Sequence, residues 1–349
     1  MYFELVFVFD RDDNGVRFGI LKRDPVMIFY SSSRSPQAAL RKQISYLKKG
    51  LIDPSLHYRS QDQSKAWNEV FQAHCPVLSD PSFTQIYQNL FSRFAQESRQ
   101  KSHLIGLGCG TGIKEQWLAR SMKRHGLPLH RFSAVDVSET LCKMSMKRVR
   151  PFSVQSPQAW VIDLEAVEEL RKALDQGDQT ERRIYTFFGL VPNLAPRTVL
   201  RILKSLLRPQ DQLLISANLA PVRNETEAEE EKAVKRILPQ YRNRETKEWL
   251  SLLFQEQGIS RKVISSLKFE IEKERGLRSV VVRAEVIKDF EWELGAKKIQ
   301  MKKGGRLTVF QSRRWTPLRF EGWMKRNGFN VKGVEMTTNR EEAVWWVER

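Results

Sequence analysis

Two periods of apolar and polar positions alternate along this chain. Residues 1–30 alternate with a period of two around Asn14-Gly15, a dipeptide that favours tight hairpin turns, so strands are predicted there. After a turn-rich patch at Asp53-Pro54, the apolar spacing from Trp67 to about Glu97 is helical. The N-terminal region is therefore predicted to be a mixture of strands and helices.

From residue 104 to residue 217, short apolar runs alternate with amphipathic segments. Helices are predicted between successive strands, at residues 113–123, 164–175 and 197–207. The strands themselves are predicted at residues 104–107, 132–137, 160–162, 184–188 and 212–217. Regular strand–helix alternation implies a parallel, doubly wound α/β sheet of the Rossmann-like class.

The alternation is interrupted after Pro221. An acidic stretch begins a long helical segment that extends to about Gln257, and strand-like stretches follow at residues 267–274, 277–287 and 307–312. Residues 317–349 are predicted to form one helix and two strands that return to the first sheet. We therefore expect a second α+β domain, made from the N-terminal region and an insertion. The expected division is 1–85 (part of the second domain), 86–222 (Rossmann-like), 223–314 (insertion) and 315–349 (return to the first domain).

The formal net charge of +18 suggests an anionic partner or an acidic substrate. The basic residues are spread along the chain, however, so a solvated basic surface is the favoured interpretation and a nucleic-acid partner is an alternative. The densest basic patch contains a Gly-Gly pair and is predicted to be a hairpin tip: Lys297, Lys298, Lys302, Lys303 and Arg306.

Several classes of protein and site are not expected. No run of about 18 apolar residues predicts a membrane-spanning helix, and the N-terminus lacks the basic leader of a signal peptide. The three cysteines follow no metal-binding spacing and indicate reduced thiols of a cytoplasmic protein. The five histidines are scattered, so no metal site is predicted. The oligomeric state is left open.

A glycine-rich loop follows the strand at residues 104–107. Gly108, Gly110 and Gly112 alternate with Cys109 and Thr111, and glycines at these positions let the backbone turn sharply and approach a ligand closely. The spacing Gly-x-Gly-x-Gly differs from the dinucleotide motif Gly-x-Gly-x-x-Gly. A plain tight turn is the alternative explanation.

Two acids lie at the ends of the next two predicted strands. Asp136 lies 24 residues after Gly112, where a carboxylate can accept hydrogen bonds from both hydroxyls of a ribose. Asp163 repeats this position one strand later and could accept an adenine amino group. Each acid could instead only cap the following helix. Such sheets bind ligands at their carboxyl edge, so three ligand-facing positions on successive strand ends favour a nucleoside site.

These motifs together resemble the class I S-adenosylmethionine-dependent methyltransferases. Finer details resemble one branch, the histidine-specific methyltransferases of ergothioneine biosynthesis, which also includes a dimethylallyltryptophan N-methyltransferase. The similar features are the insertion and four segments: the glycine loop followed by Lys114-Glu115, residues 135–138, residues 188–193 and residues 312–315. The resemblance spans roughly residues 53–349.

The resemblance implies a role for each matching residue. Asp136 would hold the ribose, and Asp163 with Leu164 the adenine. The implied cofactor-binding residues are Gly108, Cys109, Gly110, Gly112, Lys114, Asp136, Val137, Asp163, Leu164 and Gly189. Tyr58 and Asn193 would lie at the reacting amine, and the implied substrate contacts are Asn193, Tyr241, Phe310 and Ser312. Considered alone, the two tyrosines could equally be packing residues and Asn193 a turn residue.

The chain departs from the family pattern at three positions. Gly106 stands where the family has an acid that orients the amino-acid end of the cofactor, and His74 replaces a family tyrosine. Phe310 aligns with the glutamate that recognises the imidazole. We therefore predict an S-adenosylmethionine-dependent enzyme that N-methylates a small amine or amino-acid-like substrate other than histidine and releases S-adenosylhomocysteine. The alternatives are an RNA or protein methyltransferase and a non-catalytic S-adenosylmethionine-binding module.

Overall fold

The computed structural model describes residues 27–32, 35–98, 102–127, 129–175, 181–295 and 297–349. The hairpin predicted at Asn14-Gly15 lies outside these residues. The strands are β1 (Met27–Tyr30), β2 (Ser102–Leu107), β3 (Arg131–Asp136), β4 (Gln158–Val161), β5 (Arg182–Phe187), β6 (Gln212–Asn218), β7 (Lys268–Glu274), β8 (Leu277–Glu285), β9 (Phe290–Leu294), β10 (Lys297–Met301), β11 (Arg306–Arg314), β12 (Asn330–Met336) and β13 (Glu342–Glu348).

The α-helices lie between these strands and before β2. They are α1 (Pro36–Leu47), α2 (Leu56–Arg59), α3 (Gln61–His74), α4 (Pro76–Ser79), α5 (Pro81–Glu97), α6 (Ile113–Arg124), α7 (Glu139–Val149), α8 (Val167–Asp175), α9 (Pro196–Leu206), α10 (Glu227–Ile237), α11 (Arg244–Glu256) and α12 (Pro317–Arg326). Among the described helices, none is long and apolar enough to cross a membrane.

A mixed sheet with the strand order β1-β4-β3-β2-β5-β6-β13-β12 forms the larger layer. Strands β1 to β6 run parallel to one another, while β13 is antiparallel to both β6 and β12. This order confirms the predicted Rossmann-like sheet and the return of the C-terminal segment to it. The carboxyl ends of β2 to β6 therefore meet along one edge.

Both faces of this sheet are covered by helices. Leu104 of β2 packs with Leu90 of α5 and Leu118 of α6, while the next residue, Ile105, belongs to the core that includes Ile202 of α9 and Phe320 of α12. Successive side chains of a strand point to opposite faces. Strand β2 is thus buried on both sides, which explains the apolar run at residues 104–107.

A smaller layer lies over the carboxyl edge. Strands β11, β8 and β7 form a three-stranded antiparallel sheet, and β9 pairs with β10. The apolar core of this layer joins Ile52, from the N-terminal region, to Trp249 of α11 and Leu307 of β11. Leu51 also forms a parallel bridge with Thr308. The N-terminal region and the insertion are therefore packed together.

Several predicted boundaries differ from the structure. β1 pairs with β4 of the larger sheet, although residues 1–85 were assigned to the second domain, and the boundary at 85/86 falls within α5. The segment predicted as one helix up to Gln257 is two, α10 and α11, because a 3₁₀ turn containing Pro239 separates them. The β9–β10 hairpin was not predicted.

The basic patch at residues 297–306 is not a hairpin tip. Gly304 and Gly305 connect β10 to β11, but these two strands pair with β9 and β8, respectively, and not with each other. Several of its charges are neutralised locally. Lys298 pairs with Glu291 at 2.7 Å, and Lys302 pairs with Asp289 at 3.0 Å. This arrangement favours a solvated surface over a stripe of free cations.

Candidate active site

A cavity of about 640 Å³ lies between the carboxyl edge of the large sheet and the smaller layer. Most of the site residues predicted from the sequence line this cavity: Tyr58, Gly108, Cys109, Gly110, Gly112, Lys114, Asp136, Val137, Asp163, Leu164, Gly189, Asn193 and Phe310. Tyr241 and Ser312 are not among the residues that line it in the described part of the chain.

The glycine loop is held in a conformation that excludes other residues. Gly108, Gly110 and Gly112 have φ values of +61°, +52° and +75°. A Cβ atom at Gly108 would lie 2.6 Å from Leu190 Cδ2, and one at Gly112 would lie 2.6 Å from Ser145 Cα. Leu190 Cδ2 is the end of a flexible side chain and can move, whereas Ser145 Cα is backbone, so the loop requires glycine for its backbone angles and, at Gly112, also for space.

Asp136 connects the glycine loop to the end of β3. Its Oδ2 accepts a hydrogen bond from the Gly110 N–H at 3.2 Å, and its Oδ1 accepts one from the Ser138 N–H at 3.0 Å. Burial raises the pKa of Asp136 to about 6, although hydrogen bonds from Ser138 and Gly110 act in the opposite direction. The carboxylate is therefore mostly ionised at neutral pH and lines the cavity.

Asp163 lies in an ionic network that the sequence did not predict. Its Oδ2 contacts Lys42 Nζ at 2.6 Å and Arg59 Nη2 at 3.2 Å. Lys42 also pairs with Asp53 at 3.1 Å and Glu165 at 3.2 Å. Burial alone would raise the pKa of Asp163, but Lys42 and Arg59 outweigh it and the pKa is lowered. Helices α1 and α2 are thereby tied to the end of β4.

The first turn of α6 places a cation and an acid beside the glycine loop. Lys114 Nζ donates to Tyr87 Oη at 2.6 Å and to Glu342 Oε1 at 3.0 Å, and it lies 4.4 Å from the centroid of the Tyr87 ring. Glu115 is 3% exposed, lines the cavity and accepts a hydrogen bond from Thr186 Oγ1 at 2.9 Å. Lys114 is thus already paired with a carboxylate.

Aromatic rings form the wall opposite the sheet. The Tyr58 ring lies 6.0 Å from that of Trp67 and 5.7 Å from that of Trp249, which in turn lies 5.9 Å from Phe310. Trp67 also packs against Gly110, where its Cη2 lies 3.1 Å from the position of a Cβ. Burial, together with the Asp136 charge, raises the pKa of Tyr58 well above its ordinary value. Its hydroxyl therefore remains protonated.

Two predicted substrate residues are not among those that line the cavity: Tyr241, in the 3₁₀ turn before α11, and Ser312, on β11. The Tyr241 hydroxyl donates to Ser312 Oγ at 3.1 Å and accepts a hydrogen bond from Arg314. Gln311 and Arg313, which alternate with Ser312 and Arg314, line the cavity instead. The contact of Tyr241 and Ser312 with the substrate stays a prediction, and the polar residues of β11 that line the cavity are Thr308, Gln311 and Arg313.

Sequence reasoning missed six charged residues of the cavity: Lys42, Lys49, Glu115, Glu165, Arg313 and Glu342. Lys42 and Arg313 lie on elements far apart in sequence, and no local motif distinguishes them from the other cations of this basic chain. Glu115 had a usable signal, since it is an acid in the first helical turn after a glycine loop whose Gly106 lacks the expected carboxylate.

Comparison with known families identifies the chain. Residues 83–349 match the family described as histidine-specific methyltransferase, S-adenosylmethionine-dependent. The chain belongs to this family. It is a methyltransferase that uses S-adenosylmethionine as its cofactor, in agreement with the glycine loop and the strand-end acids. No curated protein matches the chain in a sequence search.

The fold is similar to those of solved methyltransferases at low sequence identity. One is the 1,6-didemethyltoxoflavin-N1-methyltransferase of Burkholderia thailandensis, with 10% identity, 82% of this chain and 88% of that chain covered, and a TM-score of 0.39. The N-methyltransferase NodS of Bradyrhizobium japonicum has 9% identity, coverage of 85% and 99%, and a TM-score of 0.41. A putative methyltransferase of Thermobifida fusca has 10% identity, coverage of 83% and 89%, and a TM-score of 0.44.

Proposed function

We propose that this methyltransferase N-methylates a small, amino-acid-like amine whose side group is apolar or aromatic, and that histidine is a poor substrate. The observation that carries the proposal is Phe310, an apolar ring in the cavity wall that packs against Trp249. A phenyl ring cannot accept a hydrogen bond from an imidazole N–H. An apolar or aromatic side group of the substrate loses no hydrogen bond beside Phe310 and gains contacts with its ring.

The proposed cofactor site is the sheet side of the cavity. Asp136 would accept hydrogen bonds from the ribose, with Val137 and Leu164 as apolar neighbours of the adenosine. Gly108, Gly110 and Gly189 have no side chains, so the backbone can come close to the ligand at these positions. When bound, S-adenosylmethionine supplies an activated methyl group on its sulfonium. No metal is required for this chemistry.

The polar head of the acceptor has two partners in the proposal. Asn193 lines the cavity from the turn after β5, and this turn packs against β11, which carries Arg313. The Arg313 side chain is 13% exposed, and its Nη2 donates to Gln311 Oε1 at 2.7 Å, while its carboxylate partner among the described residues, Glu274, is 3.9 Å away. A guanidinium this weakly paired is suited to a substrate carboxylate. Arg313 thus replaces Tyr241 as the proposed carboxylate contact.

Tyr58 would orient the reacting amine. Because its hydroxyl stays protonated, it cannot take a proton from an ammonium group, but its oxygen can accept a hydrogen bond from a neutral amine N–H. An amine loses its proton more easily when it is buried among apolar rings. The aromatic wall formed with Trp67 therefore favours the neutral amine, which has the lone pair needed for attack.

The test compares kcat/KM for histidine with the values for tryptophan, tyrosine and phenylalanine, with methylated products identified by mass. Loss of the imidazole partner is expected to cost histidine about 1–3 kcal/mol, or roughly tenfold to a hundredfold. Phe310→Glu should shift the preference toward histidine, while the control Phe310→Leu should not. A clear preference of the unmodified enzyme for histidine would contradict the proposal.

A further inference from the structure

The Glu115 side chain lies beside Gly106 at the start of the glycine loop. A Cβ atom built on Gly106 would lie 3.4 Å from Glu115 Cγ, 3.6 Å from Glu115 Oε1 and 3.0 Å from Cys109 Cβ. The Glu115 carboxylate therefore reaches from the first turn of α6 into the region that a side chain at position 106 would enter.

Glu115 is a buried acid without a matching cation. It is 3% exposed, and among the described residues its carboxylate accepts a hydrogen bond from the Thr186 hydroxyl but forms no ion pair. Lys114, the nearest basic neighbour in sequence, is paired with Glu342 and Tyr87. A buried carboxylate without a counter-charge is costly. Since Glu115 lines the cavity, a cationic ligand group can supply that charge.

S-adenosylmethionine carries such a group, the ammonium of its amino-acid end. We propose that Glu115 binds this ammonium group, so that an acid on α6 takes the place of the missing side chain at Gly106. Thr186 holds the carboxylate in position through its hydroxyl. The inference depends on the cofactor alone and not on the proposed acceptor, and it is tested by binding without turnover.

Two ligands separate this role from a structural one. S-adenosylhomocysteine has the ammonium group, whereas methylthioadenosine has the same nucleoside and sulfur but no amino-acid end. Glu115→Gln should weaken S-adenosylhomocysteine binding about tenfold to a hundredfold in calorimetry, because a charge-assisted hydrogen bond is lost. Its affinity for methylthioadenosine should not change. Equal losses for both ligands, or no loss for either, would overturn the proposal.

Glu181→Gln is the matched control. Glu181 is also a buried acid, 8% exposed, but it pairs with Arg131 and His130 and is not among the cavity-lining residues. Its replacement should leave the affinities for both ligands unchanged. If Glu181→Gln weakened S-adenosylhomocysteine binding as much as Glu115→Gln, the loss of any buried acid would have this effect. The assignment of Glu115 to the ammonium group would then be wrong.

A measurement on the unmodified protein gives an independent check. Burial raises the pKa of Glu115 to about 7, and the charged or titratable groups around it are Lys114, Asp136 and Cys109. The ammonium group favours the ionised carboxylate, so S-adenosylhomocysteine affinity should fall as the pH is lowered through this pKa. Protonation of Asp136 affects the shared ribose contact and hence both ligands. The ratio of the two affinities therefore isolates Glu115, and a pH-independent ratio would contradict the assignment.

Discussion

The sheet side and the aromatic side of the cavity are held together differently. On the sheet side, backbone hydrogen bonds link consecutive strand ends, as in the bonds from Gly108 N to Val135 O at 2.8 Å and from Ile162 N to Asp136 O at 2.9 Å. On the aromatic side, α2, α11 and β11 are joined through side chains. His57 Nε2 donates to Val309 O at 2.8 Å, and Trp249 Nε1 donates to His57 O at 3.0 Å.

The comparison teaches that the two sides tolerate change differently. A backbone-built loop cannot accept a side chain without moving the strand end that supports it, because packed interiors have little free space. A wall made of side chains can exchange one ring or charge for another while its backbone stays in place. We therefore expect substitutions on the sheet side to affect folding and cofactor binding, and those on the aromatic side to affect acceptor choice.

The largest effect is expected for Gly112→Ala. Gly112 has a φ of +75°, and a Cβ there would overlap the Ser145 backbone, so unfolding free energy should fall by about 3 kcal/mol. Gly126 has the same φ of +75° with nothing within 4 Å, and Gly126→Ala should cost only about 1 kcal/mol. Urea unfolding measures both. Equal losses of unfolding free energy in the two variants would show that the backbone angle alone determines the destabilisation.

A smaller effect is expected for Asp136→Ala. Removal of the Asp136 carboxylate leaves the ribose hydroxyls without a charged acceptor, which should weaken S-adenosylmethionine binding by about 2 kcal/mol, or roughly thirtyfold. Calorimetry on a variant with a preserved circular dichroism spectrum is the measurement. Asp62→Ala, at an exposed acid of α3, is the control. Unchanged affinity in a folded Asp136→Ala protein would remove Asp136 from the ribose site.

The smallest effect distinguishes Arg313 from Tyr241. Arg313→Gln should lower kcat/KM about tenfold for an amine that carries a carboxylate, and much less for the same amine without one. Tyr241→Phe should change neither value, since the Tyr241 hydroxyl is bonded to Ser312 and Arg314. If Tyr241→Phe lowered kcat/KM for the carboxylate-bearing amine and Arg313→Gln did not, Tyr241 would be the carboxylate contact, as the sequence predicts.

The positions on the sheet side of this cavity can be predicted from the sequence. Gly108 to Gly112, Asp136 and Asp163 follow strands recognisable from their apolar runs, and parallel strands bring their carboxyl ends to one edge. Local backbone geometry fixes these positions, so local patterns reveal them. The family resemblance placed Tyr58, Asn193 and Phe310 at the cavity for a similar reason, since each lies in a short matching segment.

The other residues of the cavity come together through the packing of distant segments. The choice between Ser312 and Arg313 depends on which face of β11 points inward, and a shift of register near Thr308 and Phe310 alters that alternation. The contact between Lys42 and Asp163 depends on how α1 packs against the end of β4. The close approach of Glu115 to Gly106 likewise depends on the angle at which α6 leaves the glycine loop. These are packing relations between distant segments, which no local pattern of residues specifies.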